Sequence, residues 1–181
     1  MTAPMPHLWT GDEYDRLPAD DGVRRELVDG VLHVSSRPAD PHQTLAMLLG
    51  AALHRSAPRE LYYVTQGVEV RLGERLRFIP DVLAVTAAAA RRRASQYLPH
   101  EVVLAVEIES PSSVSIDRLL KPGRYACAGI PYYWRVELDP EPRLVVHEID
   151  DEVYRVVGEF TNEVVLPGPW PIAFDLRELA D

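Results

Sequence analysis

Two acidic side chains set inside apolar, β-like runs are the residues of this chain most suited to chemistry. Asp81 lies in Phe78-Ile79-Pro80-Asp81-Val82-Leu83-Ala84-Val85, and Glu107 in Val102-Val103-Leu104-Ala105-Val106-Glu107-Ile108-Glu109-Ser110. A carboxylate in a buried strand carries a large desolvation cost unless its charge is compensated. Two of them on neighbouring strands repel each other unless they share a cation or a proton. A shared divalent metal meets both demands and points to metal-assisted hydrolysis.

Other ionisable residues stand near this pair, each with a plainer reading beside the chemical one. Asp81 follows Pro80 and reads as a turn aspartate capping a backbone amide, or, from the apolar residues on both sides, as a strand residue. Glu107 and Glu109 are two apart and so share one face of a strand, although Glu109 reads equally well as a solvent-facing residue at the strand end. Asp117 and Lys121 are four apart on a candidate helix. They form either a surface ion pair worth roughly 0.2–0.5 kcal/mol or a lysine turned inward, whose ammonium orients water and stabilises charge on phosphorus. His42, at the start of another helix, reads as a cap, a surface residue or a site residue. Glu26, between Arg25 and Leu27, is equally open. The basic run Arg91-Arg92-Arg93 reads as a solvated face before it reads as a phosphate contact.

The elements that must position these groups follow from pattern. Thr10 with Glu13 is a capping box, which starts a short helix over Gly11 to Arg16. Asp29-Gly30 between Arg25–Val28 and Val31–Val34 is a hairpin signal. Residues 35–41 read as a loop. Residues 41–57 form a helix with Leu45, Leu48, Leu49, Ala52 and Leu53 on one face. Leu61 to Arg71 reads as a strand, and Gly73-Glu74 turns the chain into a second strand that carries Asp81. Ala87 to Tyr97 is partly helical, and Val102 to Ile108 is a third, central strand. A helix over 115–128 ends at Gly129 and is kinked or split by Pro122. Tyr132 to Leu138 is a fourth strand, Leu144–Ile149 and Val153–Val157 make a hairpin, and a last strand lies near Val164. The expected fold is α/β, a mixed sheet flanked by helices with an N-terminal hairpin and C-terminal β additions, in a single domain over 1–181 whose ends, 1–9 and 168–181, are loosely structured.

Composition narrows the function. The 181 residues suffice for one full hydrophobic core, and 46% hydrophobic with 26% charged residues is an ordinary globular balance. No apolar run reaches the roughly 20 residues of a membrane span. One cysteine, Cys127, excludes an internal disulfide and a cysteine-based zinc site. With no secretory leader pattern, the expected location is the cytoplasm. A net charge of −9 argues against a broad basic grip on nucleic acid, but acids that bind metal count as negative until the metal arrives.

Taken in order, Arg25-Glu26-Leu27-Val28-Asp29-Gly30, a Pro-rich loop into His42, Pro80-Asp81-Val82, Val106-Glu107-Ile108-Glu109-Ser110-Pro111, and then Asp117, Lys121, Tyr125, Gly129 and Tyr133-Trp134 resemble the Uma-two family of restriction-endonuclease-like proteins. The resemblance covers about residues 20 to 140. It implies the PD-(D/E)XK nuclease core and phosphodiester hydrolysis with Mg²⁺, for which Mn²⁺ is a substitute. Asp81 matches the first motif acid and Glu107 the second. The superfamily's lysine two residues on is here Glu109, so the resemblance makes Lys121 the migrated lysine, with His42 and Glu26 at recurrent family positions. It also implies that Asp81, Glu107 and the Ile108 carbonyl hold the metal.

Three readings of function follow. The first is a metal-dependent DNA endonuclease, acting as a homodimer because two strands need two sites, with Tyr132-Tyr133-Trp134 either as interface anchors or as core. The second is a nuclease-fold binding or assembly module that no longer cuts. The third is a metal-dependent hydrolase of a small phosphate ester.

Overall fold

The computed structural model describes residues 7–18, 22–36, 40–110 and 116–180. It opens on a short helix, α1 (Gly11–Asp15), closed by the expected reciprocal cap. The Thr10 hydroxyl accepts from the Glu13 amide, and the Glu13 carboxylate accepts from the Thr10 amide at 2.8 Å. Strands β1 (Val23–Val28) and β2 (Val31–Ser36) follow as an antiparallel hairpin. Asp29 and Gly30 turn it with φ of +50° and +86°, the left-handed pair that matches the twist of the two strands. Of the loop expected over 35–41, residues 37–39 lie outside the described ones.

Helix α2 (Asp40–Ser56) buries Leu45, Leu49, Ala52 and Leu53, while Leu48 is only half-buried. The segment expected as one strand over 61–71 is two: β3 (Tyr62–Thr65) and β4 (Glu69–Gly73). Gly67, at φ +62°, breaks the run between them and sends the two halves into different sheets. Strand β5 (Leu76–Phe78) and strand β6 (Val82–Thr86) are likewise separate. Asp81 therefore stands just before β6 and not within a strand, because Pro80 has no amide to donate to a ladder.

Helix α3 (Ala87–Ala90) and the two-residue strand β7 (Gln96–Tyr97) lead to β8 (Val102–Ile108). A π-helical turn over Ile116–Leu120 runs directly into α4 (Lys121–Cys127), so the expected helix is split at the proline. Pro122 sits in the first turn of α4, where its missing donor costs nothing. Strands β9 (Tyr132–Glu137), β10 (Arg143–Asp150), β11 (Val153–Phe160), β12 (Glu163–Leu166) and β13 (Ile172–Asp175) complete the sheets, before a final helix α5 (Leu176–Ala180).

Among the described residues the strands form a six-stranded mixed sheet, order β11-β10-β9-β8-β6-β3, a five-stranded sheet, order β2-β1-β5-β4-β7, and the β12-β13 pair. In the large sheet β8 runs parallel to β9 and antiparallel to β6. Side-chain alternation along β8 sorts its two faces. Leu104, Val106 and Ile108 pack toward α2, with Trp134 and Val136, whereas Ala105 packs with Tyr125, Tyr133 and Phe78 on the face that also carries Glu107. Tyr133 and Trp134 thus belong to the core and are not surface anchors.

The C-terminal stretch departs from expectation. Residues 168–180 are not loose: Trp170, Ile172 and Leu176 are buried in the same core as α2, and the Trp170 indole donates to the Ser56 hydroxyl at 2.9 Å. Trp170 stacks on Tyr62 with centroids 5.2 Å apart. Prolines flanking short apolar stretches hid a strand and a helix that only tertiary burial stabilises. No helix among the described residues is long and apolar enough to cross a membrane.

Candidate active site

The seam between the two large sheets gathers the acidic residues. Arg24 and Glu26, two apart on β1, project to the same side from the five-stranded sheet. Asp81 stands where the chain leaves that sheet for β6, and Glu107 projects from β8. Lys121, the first residue of α4, is the single lysine of the chain and is 2% exposed. The π-helical turn before it supplies Asp117, and the first turn of α2 supplies His42.

The contacts are specific. The Lys121 ammonium lies 2.8 Å from Glu107 Oε2, 3.2 Å from Asp117 Oδ1 and 3.3 Å from Glu26 Oε1. Glu107 Oε1 accepts from the Tyr125 hydroxyl at 2.8 Å. Asp81 Oδ2 accepts from the Ile108 amide at 2.7 Å, and Asp81 Oδ1 accepts from Arg24 Nη1 at 2.7 Å. Asp81 thus caps a backbone amide from outside the strand, as the turn reading has it, and its other oxygen faces the cluster. His42 Nε2 bonds the Ile108 carbonyl at 2.8 Å and stands 3.2 Å from Asp81 Oδ2. Glu26 accepts from the Ile79 amide at 2.8 Å.

Burial and neighbours set the protonation of these groups. Burial pushes the Glu107 carboxyl up to about 8; the pull of Lys121 is outweighed once the Asp117 and Asp81 carboxylates add to it. Burial works against the charge on Asp81 as well, but the His42 hydrogen bond and the Arg24 guanidinium hold its carboxyl well below the usual range. Glu26 is held low against its own burial by Lys121, Arg24 and the Ile79 amide. The same acids outweigh desolvation at Lys121 and keep its ammonium protonated far above neutral pH.

Asp81, Glu107, Lys121, Glu26 and His42 therefore meet in one place, whereas Glu109 does not join them. Its carboxylate is gripped by Arg118 through two bonds, at 2.7 and 2.8 Å, and by Arg135 at 2.9 Å. Arg135, Arg118 and Arg24 were not singled out in the sequence. Arg135 stands opposite Glu107 in the β8–β9 register, a pairing that no local pattern announces. Arg24 had a signal, the Arg24-x-Glu26 alternation on the first strand of a hairpin. The run Arg91-Arg92-Arg93 is exposed, with Arg92 paired to Glu101.

The donor set suits a hard cation. Four carboxylates (Glu26, Asp81, Glu107, Asp117) face two cationic side chains, which leaves a deficit of two charges when all are ionised. Asp81 Oδ1 and Glu107 Oε2 both lie close to the Arg24 guanidinium, at 2.7 and 3.7 Å, so they already share a cation. Among the described residues no three His, Cys, Asp or Glu side chains stand ready as a metal cage. Two carboxylates and a backbone carbonyl are oxygen donors of the kind that Mg²⁺ and Mn²⁺ take, with water completing the shell.

A family model, Uma2, described as "Putative restriction endonuclease", matches residues 12–177. The chain belongs to the Uma2 family. Every side chain of the cluster falls within the matched span. This Uma2 chain is also similar to a solved structure from Anabaena variabilis ATCC 29413, described as a "putative nuclease belonging to DUF820", with a TM-score of 0.77 at 15% identity over 94% of this chain and 97% of that one. At that identity the likeness speaks for the fold, a mixed α/β nuclease fold. Among curated proteins there is no match.

Proposed function

We propose that this Uma2 protein is a divalent-metal-dependent endonuclease that hydrolyses DNA phosphodiester bonds, with Mg²⁺ as its ion and Mn²⁺ as a substitute. The observation that carries the reading is the meeting of Asp81 and Glu107 around one cationic group, with the Lys121 ammonium 2.8 Å from Glu107. Asp81, Glu107 and the Ile108 carbonyl would hold the ion. When bound, such an ion polarises a phosphate oxygen and lowers the pKa of a coordinated water.

The chain's own residues supply the rest. Lys121 is protonated at every working pH, so it does not accept a proton. Its three donors are taken by Glu107, Glu26 and Asp117, so it acts through its charge, which offsets the negative charge that grows on the phosphate oxygens as water attacks phosphorus and the leaving oxygen departs. Glu26 and Asp117 hold that ammonium in position from two other elements. His42 fixes Asp81 Oδ2 together with the Ile108 amide, which leaves Oδ1 aimed into the site. A cleft of about 380 Å³, lined among others by Gln43, Gln66 and Pro80, reaches Arg24, His42 and Asp81 and gives a phosphate its approach to them. Cutting both strands of a duplex needs two such sites, which a homodimer supplies.

The test is nicking of supercoiled plasmid DNA in Mg²⁺ by the purified wild type and by Asp81→Asn. Cleavage by the first and none by the second supports the assignment; equal cleavage by both overturns it. One observation favours a second reading, a nuclease-fold binding module: each oxygen of Asp81 and Glu107 already has a protein donor. Calorimetric titration with Mn²⁺ separates the two, since a module of that kind needs no metal at these acids.

A further inference from the structure

We propose that Arg24 is an exchangeable counter-ion: it holds the place of the metal between Asp81 and Glu107, leaves when the ion enters, and then takes a phosphate oxygen of the substrate. The inference rests on the metal-dependent reading above. Arg24 Nη1 donates to Asp81 Oδ1 at 2.7 Å, and Nη2 donates to the Ile79 carbonyl while standing 3.5 Å from Glu26 Oε1 and 3.7 Å from Glu107 Oε2. The remaining oxygens are committed elsewhere. Asp81 Oδ2 is held by the Ile108 amide and His42, and Glu107 Oε1 by Tyr125. Asp81 Oδ1 is thus the oxygen through which Asp81 reaches an ion, and it is the one Arg24 covers.

Mg²⁺ binds carboxylate oxygens at about 2.0–2.1 Å. A guanidinium bonded to the same oxygen and an ion at that distance repel, so one must go. Lys121 is enclosed on all sides and has no exit, with 3% of its side chain exposed, whereas 20% of the Arg24 side chain is exposed and it lines the cleft. Rotation about its own side-chain bonds carries the Arg24 head into that cleft. There the planar fork of N–H donors matches two phosphate oxygens. Exchange replaces one positive charge with two, which reduces the deficit left by the four acids.

The test is calorimetric titration with Mn²⁺ of the wild type, Arg24→Met, and the double variant Arg24→Met/Glu26→Gln, which keeps the cluster's net charge. Circular dichroism confirms that each is folded, and the double variant serves if the excess of acid unfolds the single one. Exchange predicts that Mn²⁺ binds both variants about tenfold or more tighter than the wild type, equivalent to about 1.4 kcal/mol. Equal or weaker binding by the double variant overturns the exchange, because a merely structural Arg24 loosens the site on removal. No Mn²⁺ binding by the wild type or either variant overturns instead the metal-dependent reading on which the inference rests. In Ca²⁺, a short DNA oligonucleotide should bind Arg24→Met at least about tenfold more weakly than the wild type, again about 1.4 kcal/mol; equal binding overturns the phosphate contact.

Discussion

Glu107→Gln should make the metal-free protein more stable at alkaline pH while removing its response to metal. Glu107 is fully enclosed, and burial beside Asp117 and Asp81 raises its carboxyl from 4.5 to about 8 despite Lys121. A group whose folded pKa lies above its unfolded value binds more protons when folded, so its contribution is full below about pH 4.5 and is lost as pH rises through about 8. At 1.36 kcal/mol per pKa unit the full loss is roughly 4–5 kcal/mol, an upper limit reached only above pH 8. Glutamine stays neutral, accepts from Lys121 through its carbonyl and donates its amide to the Tyr125 oxygen. Urea unfolding in EDTA between pH 5 and 9 reads the difference. The two proteins should match near pH 5, with the variant increasingly the more stable toward pH 9. Mn²⁺ at a hundred times its Kd should narrow the gap at pH 9, because the ion stabilises only the protein that binds it, by about 2.7 kcal/mol. A variant less stable than the wild type in EDTA at pH 9 would refute the reasoning, since it would mean that the ionised carboxylate stabilises the fold.

Three further outcomes follow from the geometry. Lys121→Met strands three acids without their shared cation and should cost about 3–5 kcal/mol in urea unfolding at pH 8; a cost under about 1 kcal/mol would place the ammonium outside the cluster's electrostatics. Burial and Arg135 lower the pKa of His147, which bonds the Tyr133 carbonyl at 3.2 Å. Its stabilisation is full above the unfolded value of 6.5 and is lost as pH falls below that toward and through the lower folded value, so the stability of the wild type relative to His147→Asn should fall as pH drops from 7 to 5; an unchanged difference contradicts this. Leu176→Ala, at a fully buried position in α5, should cost about 2–5 kcal/mol in the same assay, whereas a loosely attached C-terminus would lose almost nothing.

What was legible in the sequence is what local chemistry encodes. The Thr10 cap, the Asp29-Gly30 turn, the helix face of Leu45 and Leu49 and the central run of β8 are each fixed by residues a few positions apart, and each appears where expected. Asp81 and Glu107 stood out because an acid in an apolar run is costly wherever that run folds. The inward turn of Lys121 was one of two open readings, and the packing of α4 against the sheet seam decides it. Glu109 shows the limit: its strand face was readable, but its partners Arg118 and Arg135 come from other elements. Arg24 was overlooked because its meaning depends on the five-stranded sheet meeting the six-stranded one beside Asp81, a tertiary fact. Trp170 and Leu176 were hidden for the same reason, since β13 and α5 are too short to hold their structure alone and owe their order to burial against α2.

The central claim is that Asp81 and Glu107 grip one divalent ion. Anomalous diffraction from crystals equilibrated with Mn²⁺ tests it most directly. The account predicts a single peak about 2.0–2.5 Å from Asp81 Oδ1 and from a Glu107 oxygen, with the Arg24 guanidinium moved into the cleft. Full Mn²⁺ exposure with no peak between those carboxylates, and Arg24 still bonded to Asp81, would contradict it.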